Sequence, residues 1–208
     1  MKVIGLLFLL FLTKTCFAQF NLTKIDKTLV PKNIHFAGKI VQAVRWNDNT
    51  GDNIVLLTTT DKTQSKGAPD DSYSEGALYA YHYLVFGDSA KQTWRVIDYV
   101  KDCPVDMLLY FVDKTFAVTD LDKDGKAEAW IMYKVSCQGD VSPVPMKIIM
   151  YEDNKKFAVR GTTRVEPSPK RLIGGEYTFV QAFKSAPAEF RRYAEKLWQL
   201  HKVETWKQ

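Results

Sequence analysis

Short runs of alternating apolar and polar residues occupy most of the chain, and clusters of Gly, Pro, Asn, Asp and Ser separate them. Alternation with a period of two is typical of β-strands. The pattern predicts strands over His35–Trp46, Asn53–Thr60, Leu78–Phe86, Thr93–Val100, Met107–Val112, Phe116–Thr119, Ala129–Tyr133, Met146–Glu152 and Lys156–Gly161. The strongly apolar middle of Asn53–Thr60 indicates a central strand. Because the runs follow one another at short intervals, we expect a mainly β fold, an antiparallel meander that forms a twisted sheet or a sandwich.

The pattern changes near the C-terminus, where residues of one side recur at helical spacing. These residues are Phe190, Tyr193, Ala194, Leu197, Leu200 and His201. Ser185 can cap a helix, and Pro187 suits its first turn. We therefore predict one amphipathic helix over residues 186–205, which covers the sheet and closes a single β-rich domain of residues 19–208. The basic side of this helix is interpreted as a solvated face, with a membrane-surface or partner-binding face as the alternative.

The N-terminus has the features of a secretory signal. Lys2 is followed by the apolar run Val3–Leu12, and Cys16-Phe17-Ala18 offers a small-residue cleavage site before Gln19. The apolar run is too short to span a bilayer. We predict a signal peptide of residues 1–18, an exported protein that is periplasmic, on the cell surface or secreted, and no transmembrane segment after cleavage.

Two cysteines remain after this cleavage, Cys103 and Cys137, each in a turn-like setting. In an oxidising compartment such a pair is readily oxidised to a disulfide. In the chain-entropy model this bridge would stabilise the fold by about 3–4 kcal/mol. Two unlinked thiols are the alternative, because the sequence does not give the distance between them.

One segment carries residues suited to binding a metal ion. Carboxylates stand at positions one, three, five and nine of a tight loop, and Gly125 follows the third of them. Calcium takes six to eight oxygen ligands at about 2.3–2.6 Å, and alternating carboxylates on a curling loop can supply them. We predict a structural calcium site that holds two strands together. Its candidate ligands are Asp120, Asp122, Asp124, the backbone carbonyl of Lys126, and Glu128.

The flanks of this loop decide which kind of calcium loop it resembles. Phe116–Thr119 and Ala129–Tyr133 are β-rich, and Ile131 stands where an EF-hand has a bidentate Glu. The segment resembles instead the strand–loop–strand calcium loop of FG-GAP and integrin-propeller-like repeats, with the pattern Asp-x-Asp-x-Asp-Gly-x-x-acid. The resemblance covers only this hairpin, so it implies a loop type and propeller-blade-like hairpins. The chain is too short for a full propeller of four-stranded blades. A polar hairpin turn without an ion is the alternative.

A second turn, residues 46–57, is similar to a degenerate copy of the acidic hairpin. Asp48, Asn49 and Asp52 lack the one-three-five spacing. We therefore interpret this turn as a structural echo and do not expect it to bind metal.

A row of tyrosines lies in the predicted strand Leu78–Phe86. Period two places Tyr79, Tyr81 and Tyr83 on one face and His82 on the other. The tyrosine face could be a platform on which a sugar stacks, and the alternative is a cross-strand ladder on a half-buried face. His82 lies on the apolar face and is predicted to be a hydrogen-bonded core histidine.

Several classes of function lack their sequence signature. The net charge is +5 and there is no dense basic run, so no nucleic-acid partner is expected. The chain has no nucleophile elbow, phosphate-binding Gly loop, dinucleotide fingerprint or His-Glu-x-x-His helix. His35, His82 and His201 are far apart and lack zinc-like spacing. No catalytic residue is predicted.

A wider resemblance involves the second half of the chain. The acidic hairpin, Ser136–Pro143 and Met146–Glu152 are together similar to a family of small exported bacterial proteins called surface polysaccharide biosynthesis proteins. The likeness spans roughly residues 100–165. It implies a part in making or presenting cell-surface glycan and brings no catalytic residue with it. The sequence shows no sugar-nucleotide site, and this departure from what a glycosyltransferase needs argues against a direct transferase role.

Two hypotheses for function result. The first is an exported, non-catalytic β domain, stabilised by calcium, that binds a glycan or a cell-envelope protein. Exposed tyrosines near the Asp61–Gly76 loop would favour it, since long loops on β scaffolds often carry function. The second is an enzyme or direct assembly factor acting on surface polysaccharide. A cleft that gathers Asp70, Asp71 and Glu75 with His82 would favour the second.

Overall fold

The strands predicted from alternation are present and are joined by several short ones. The computed structural model describes residues 20–70 and 72–204, so the predicted signal peptide lies outside the described residues. The strands are β1 (Thr23–Lys24), β2 (Lys39–Asp48), β3 (Gly51–Thr59), β4 (Thr63–Gln64), β5 (Ser74–Phe86), β6 (Ser89–Cys103), β7 (Met107–Phe111), β8 (Ala117–Thr119), β9 (Glu128–Cys137), β10 (Pro145–Glu152), β11 (Lys155–Thr162), β12 (Arg164–Ser168), β13 (Arg171–Gly174) and β14 (Tyr177–Phe179). Two 3-10 helices, Lys27–Leu29 and Gln181–Ser185, and one α-helix, α1 (Ala188–His201), complete the described fold.

These strands pair antiparallel in two six-stranded sheets and one small hairpin. In sheet 1 the order is β1-β2-β3-β5, and both β4 and β6 also pair with β5. In sheet 2 the order is β14-β11-β10-β9-β7, and β8 also pairs with β9. β12 pairs with β13. The predicted mainly β, antiparallel fold with a C-terminal helix is confirmed, and β3 lies between β2 and β5, which confirms its predicted central position.

The two sheets pack face to face because alternate residues along their strands are apolar. The layer between them contains large apolar residues from both sheets. They include Trp46, Val55, Leu57, Leu78, Trp94 and Val96 from sheet 1, and Ala129, Ile131, Tyr133, Ile149, Tyr151 and Ala158 from sheet 2. Of the two predicted forms, a twisted sheet or a sandwich, the structure is a sandwich.

α1 covers the outer face of sheet 2, as predicted. Phe190, Ala194 and Leu197 are buried there with Trp198, which is fully buried. The helical spacing predicts Leu200 on the same side, but Leu200 is 68% exposed. The reason is geometric, since Leu200 follows Ala194 by six residues and therefore lies about 120° around the helix from it.

The ends of α1 differ from the prediction of 186–205. Ser185 is not the N-cap, because it ends the preceding 3-10 helix and its hydroxyl bonds the carbonyl of Ala182 at 3.4 Å. Ala186 is extended, as expected for a residue before proline, and Pro187 takes the N-cap position. Beyond the helix, Val203 bridges to Arg164. Within residues 20–70 and 72–204, no helix combines the length and apolarity needed to cross a bilayer.

A disulfide joins the two sheets. Cys103 at the end of β6 and Cys137 at the end of β9 are bonded, with their Cα atoms 5.6 Å apart. The predicted pair is therefore confirmed. The enclosed loop contains β7, β8 and the acidic segment, so the bridge restricts this part of the unfolded chain.

Candidate metal centre

The acidic segment is a loop of residues 120–127 that joins β8 to β9. Its curvature comes from Lys123 and Gly125, which both have positive φ, at +64° and +83°. Its own carboxylates bond the backbone inside the curl. The amide of Gly125 donates to Asp120 at 3.4 Å, and the amide of Lys126 donates to Asp124 at 2.8 Å. The loop therefore curls around its aspartates, as the calcium-loop prediction requires.

The structure brings the four predicted side-chain ligands close together and adds a fifth carboxylate. Oxygens of Asp120, Asp122 and Asp124 lie within 4.8 Å of one another. Oxygens of Asp122, Glu128 and Glu152 form a second group with the same spacing. Asp122 belongs to both groups, so the five carboxylates form one continuous cluster.

Glu128 and Glu152 face each other across the β9–β10 pair, in direct register. Glu128 is 0% exposed, and its carboxylate accepts bonds from the Leu121 amide at 3.0 Å and from the Thr119 hydroxyl at 2.5 Å. Glu152 Oε1 is buried, and no donor from the described residues bonds it. Like charges placed directly opposite destabilise a sheet, and a buried carboxylate oxygen without a donor adds its desolvation cost.

The environment of these carboxylates opposes their ionisation. Burial raises the pKa of Glu128 to about 7, and the charges of Asp122 and Glu152 act in the same direction. Burial, with the charges of Asp122 and Asp124, also raises the pKa of Glu152. The pKa of Asp122 is raised too, by burial and by its aspartate neighbours. A bound cation would favour the ionised form of all three groups.

Lys126 contributes a counter-charge at the rim of the cluster. Its ammonium pairs with Asp153, in the β10–β11 turn, at 2.8 Å and lies 3.9 Å from Asp124. The side chain is half-exposed, and its charge lowers the pKa of Glu152 against the larger opposing effect of burial. Among the described residues, no cationic side chain lies within 4.0 Å of the Glu128 or Glu152 carboxylate. The role of the Lys126 carbonyl as a metal ligand stays a prediction.

The acidic loop also contacts sheet 1 through the β2–β3 turn. The amide of Asn49 donates to the Gly125 carbonyl at 2.9 Å, and the Asn49 side chain donates to the Asp124 carbonyl at 3.2 Å. The Ala127 amide donates to the carboxylate of Asp48 at 3.1 Å. The β2–β3 turn, which resembles a degenerate copy of the acidic hairpin, therefore bonds the backbone of the acidic loop and holds it against sheet 1.

Hydrogen bonds from three residues hold the carboxylate of Asp48 in the position from which it bonds the Ala127 amide. Its carboxylate accepts bonds from the Trp46 indole, the Thr50 amide and the Asn53 amide group at 2.8–3.0 Å. Burial opposes its ionisation, but bonds from Thr50, Trp46 and Asn53 outweigh burial and lower the pKa of Asp48. The charged carboxylate of Asp48 is therefore satisfied by bonds inside the fold, and one of them, from the Ala127 amide, links the two sheets.

Gly125 is required by this contact. A Cβ at this position would lie 1.9 Å from the side-chain nitrogen of Asn49. The residue also has a φ of +83°, which costs a non-glycine residue roughly 1–2 kcal/mol. The same glycine therefore permits the curl of the loop and its close approach to the β2–β3 turn.

The predicted tyrosine platform is largely covered. Tyr81 and Tyr83 are each 4% exposed. The Tyr81 hydroxyl accepts a bond from the Ala37 amide at 3.1 Å, and the Tyr83 hydroxyl donates to the His35 carbonyl at 2.5 Å. The rings stand in a row as predicted, with centroids 5.7 and 6.3 Å apart, but the segment before β2 lies over them. Of the three, Tyr79 alone is partly exposed, and it too packs against the core cluster that contains Tyr81 and Tyr83.

The residues named for an enzymatic cleft do not meet. Glu75 and His82 are seven residues apart on β5, which is about 23 Å along an extended strand. Asp70 lies in an exposed turn and bonds Ser72, and Asp71 is outside the described residues. The His82 ring bonds Asn53 at 2.9 Å and Thr93 at 2.5 Å, and burial lowers its pKa to about 4. His82 is therefore the hydrogen-bonded core histidine that was predicted.

Glu152 and the pair Asp48–Asn49 were not among the predicted site residues. Glu152 could have been found from the hairpin prediction, because it ends the strand next to the Asp153–Lys155 turn. Its position opposite Glu128 requires the β9–β10 register, which depends on the length of the 138–144 connection.

The raised pKa of Glu128 gives a pH dependence with a defined sign. Between pH about 4.5 and about 7 the native Glu128 binds more protons than the unfolded one, so its contribution to the free energy of unfolding falls as the pH rises. His82 has a lowered pKa and acts in the opposite direction within this window. We therefore predict that, in chelator, wild type loses stability relative to Glu128→Gln as the pH rises from 4.5 to 7. Urea unfolding of both proteins measures this, and a constant or rising difference would contradict it.

Comparison of the chain with family models, with curated proteins and with solved structures finds no match. The resemblances noted in the sequence stay expectations, and a function for this protein rests on its geometry and chemistry.

Proposed function

We propose that the acidic loop and Glu152 bind a calcium ion, and that the ion stabilises an exported, non-catalytic β domain. The observation that carries this proposal is the buried Oε1 of Glu152, which no donor from the described residues bonds, in a carboxylate that offers an oxygen within 4.8 Å of oxygens of Asp122 and Glu128. A carboxylate in such a place is costly unless a positive charge reaches it.

The chemistry of the donors favours calcium over softer metals. All five side chains in the cluster are carboxylates, and hard oxygen donors suit calcium, magnesium and manganese. Calcium accepts six to eight oxygens in flexible geometry, whereas magnesium demands near-ideal octahedral geometry and retains water. A crowded cluster from two neighbouring segments therefore fits calcium best.

The expected effect of the ion is mechanical. The ligands come from the loop, from the start of β9 and from the end of β10, so binding would link these segments. Through Asn49 and Asp48 the same loop is bonded to sheet 1. Calcium would thus stabilise the contact between the two sheets at the end of the sandwich where these turns meet.

Thermal unfolding of the oxidised protein tests the proposal. At a calcium concentration 100 times the dissociation constant the native state gains about 2.7 kcal/mol, which raises the midpoint by several degrees in a domain of this size. We expect Asp122→Asn to abolish the shift, because Asp122 belongs to both carboxylate groups. Asp88→Asn, which removes an exposed acid in the β5–β6 turn, should keep it. The proposal fails if millimolar calcium leaves the wild-type midpoint at its value in chelator.

The wider role that we propose is in the cell envelope, with a surface glycan as the ligand. Export is supported by the Cys103–Cys137 disulfide, since such bridges persist in oxidising compartments. Glycan binding is supported by a groove of 360 Å³ beside the Asp61–Gly76 loop. Tyr79 and Tyr99 line it together with Thr63, Glu75 and Lys101, and Tyr99 is 64% exposed. Exposed aromatic rings beside hydroxyl and charged groups suit the apolar faces and hydroxyls of a sugar.

Affinity electrophoresis in gels that contain neutral polysaccharides tests the glycan proposal. We expect dextran, pullulan or mannan to retard the wild type, and Tyr99→Ala to migrate as in a gel without polymer, because its ring is the most exposed in the groove. Tyr110→Ala removes a partly exposed tyrosine from sheet 2 and serves as the control. Equal mobility of wild type and Tyr99→Ala in all three polymers would refute the role of this groove.

A further inference from the structure

One long strand of the sandwich has an open edge. β6 runs over Ser89–Cys103, and the only described strand that pairs with it is β5. An edge strand presents backbone donors and acceptors to which another extended chain can bond. The opposite boundary of sheet 1 ends in β1, which is only two residues long. β1 covers only Val44 and Arg45 of β2, so both edges of sheet 1 are open among the described residues, and β6 is the longer of the two.

Three cations lie beside this edge, on the face of sheet 2 that points toward sheet 1. We call Lys147, Lys156 and Arg160 the cation ledge. Lys147 stands directly opposite Arg160 in the β10–β11 register, and Lys156 stands opposite Tyr151. Lys147 pairs with Asp98 of β6, which places the ledge alongside this strand.

The three positive charges of the cation ledge have one carboxylate in ion-pair contact among the described residues, that of Asp98. Within the described parts of the chain, no carboxylate lies within 4.0 Å of Lys156 or Arg160, both of which are exposed. Partial desolvation of its ammonium, followed by the charges of Arg160 and Lys147, lowers the pKa of Lys156, and Asp98 acts in the opposite direction. The three cations therefore repel one another. Like charges opposite one another in a sheet are unfavourable, and an anion placed here would relieve this repulsion.

The outer face of β6 adds further positive charge. Arg95 and Lys101 are exposed there, on either side of Ile97 and Tyr99. A second copy of this chain would bring the same cations against them, so edge-to-edge self-pairing is opposed by charge. Sheets pack about 10 Å apart, which the long side chains of the ledge can span. An extended segment with acidic side chains would meet cations on both of its faces.

We propose that the open edge of β6 and the cation ledge form a docking surface for an extended, acidic peptide segment of a partner protein. The segment adds as a strand to β6 and places carboxylates against Lys156 and Arg160. This surface is separate from the acidic loop, so the calcium proposal and the docking proposal can fail independently. It shares Tyr99 and Lys101 with the proposed glycan groove, whose test uses neutral polymers and not an acidic peptide.

Titration with a synthetic peptide of alternating glutamate and threonine tests the surface. We expect saturable binding that weakens with salt, together with slower hydrogen exchange of β6 amides. Charge reversal in Lys156→Glu/Arg160→Glu should raise the dissociation constant about tenfold or more. Lys170→Glu/Arg171→Glu makes the same change of charge at the exposed turn between β12 and β13, and should leave binding unchanged.

Two further probes of the unmodified protein separate strand addition from simple charge attraction. The same peptide with alternate backbone nitrogens methylated keeps its charges but cannot pair along the edge, and we expect it to bind about tenfold more weakly or worse. Equal binding of the two peptides would overturn strand addition. Binding of alginate, a uronic-acid polymer, without binding of either peptide would also overturn the proposal and indicate an anionic polysaccharide instead.

Discussion

Two glutamates that face each other at the end of the β9–β10 pair impose the strongest electrostatic constraint on this fold. Glu128 is fully buried and bonded, whereas an oxygen of Glu152 is buried without a donor among the described residues. Neighbouring strands bring them together in register, and the backbone pairing cannot avoid the contact. The charge must be suppressed by protonation or balanced by a cation. The aspartates of the acidic loop add charge beside this pair and extend the cluster to the surface.

This constraint reaches beyond the hairpin, because the acidic loop joins the two sheets. Asn49 and Asp48, from the β2–β3 turn, bond the loop backbone on one side, and Glu152 approaches it from β10 on the other. The disulfide between Cys103 and Cys137 links the two sheets at a second place, and the acidic loop lies within the covalent ring that it closes. The balance of charge at the cluster and the packing of the sandwich are therefore coupled, which is the physical basis of the structural role that we propose for a calcium ion.

The sequence was informative where a property is local. Alternation predicted the strands, and the spacing of Asp120, Asp122 and Asp124 predicted side chains that the loop does bring together. Properties that depend on contacts between distant segments could not be predicted from the sequence. Glu152 required a strand register, Asp48 and Asn49 required the packing of one sheet on the other, and the cover over Tyr81 and Tyr83 comes from a segment more than 40 residues earlier in the chain. Leu200 was misplaced because the centre of the buried helix stripe is set by Trp198 and the sheet beneath it.

The participation of Glu152 would distinguish a metal site built across two strands from a self-contained calcium loop. A crystal structure of the oxidised protein grown with calcium tests it most directly. We expect an ion in the carboxylate cluster, with Glu152 Oε1 at about 2.3–2.6 Å as one of its ligands. An ion bound only by residues 120–126, or a cluster in which Glu152 turns to solvent and no ion binds, would show that Glu152 is not part of a metal site.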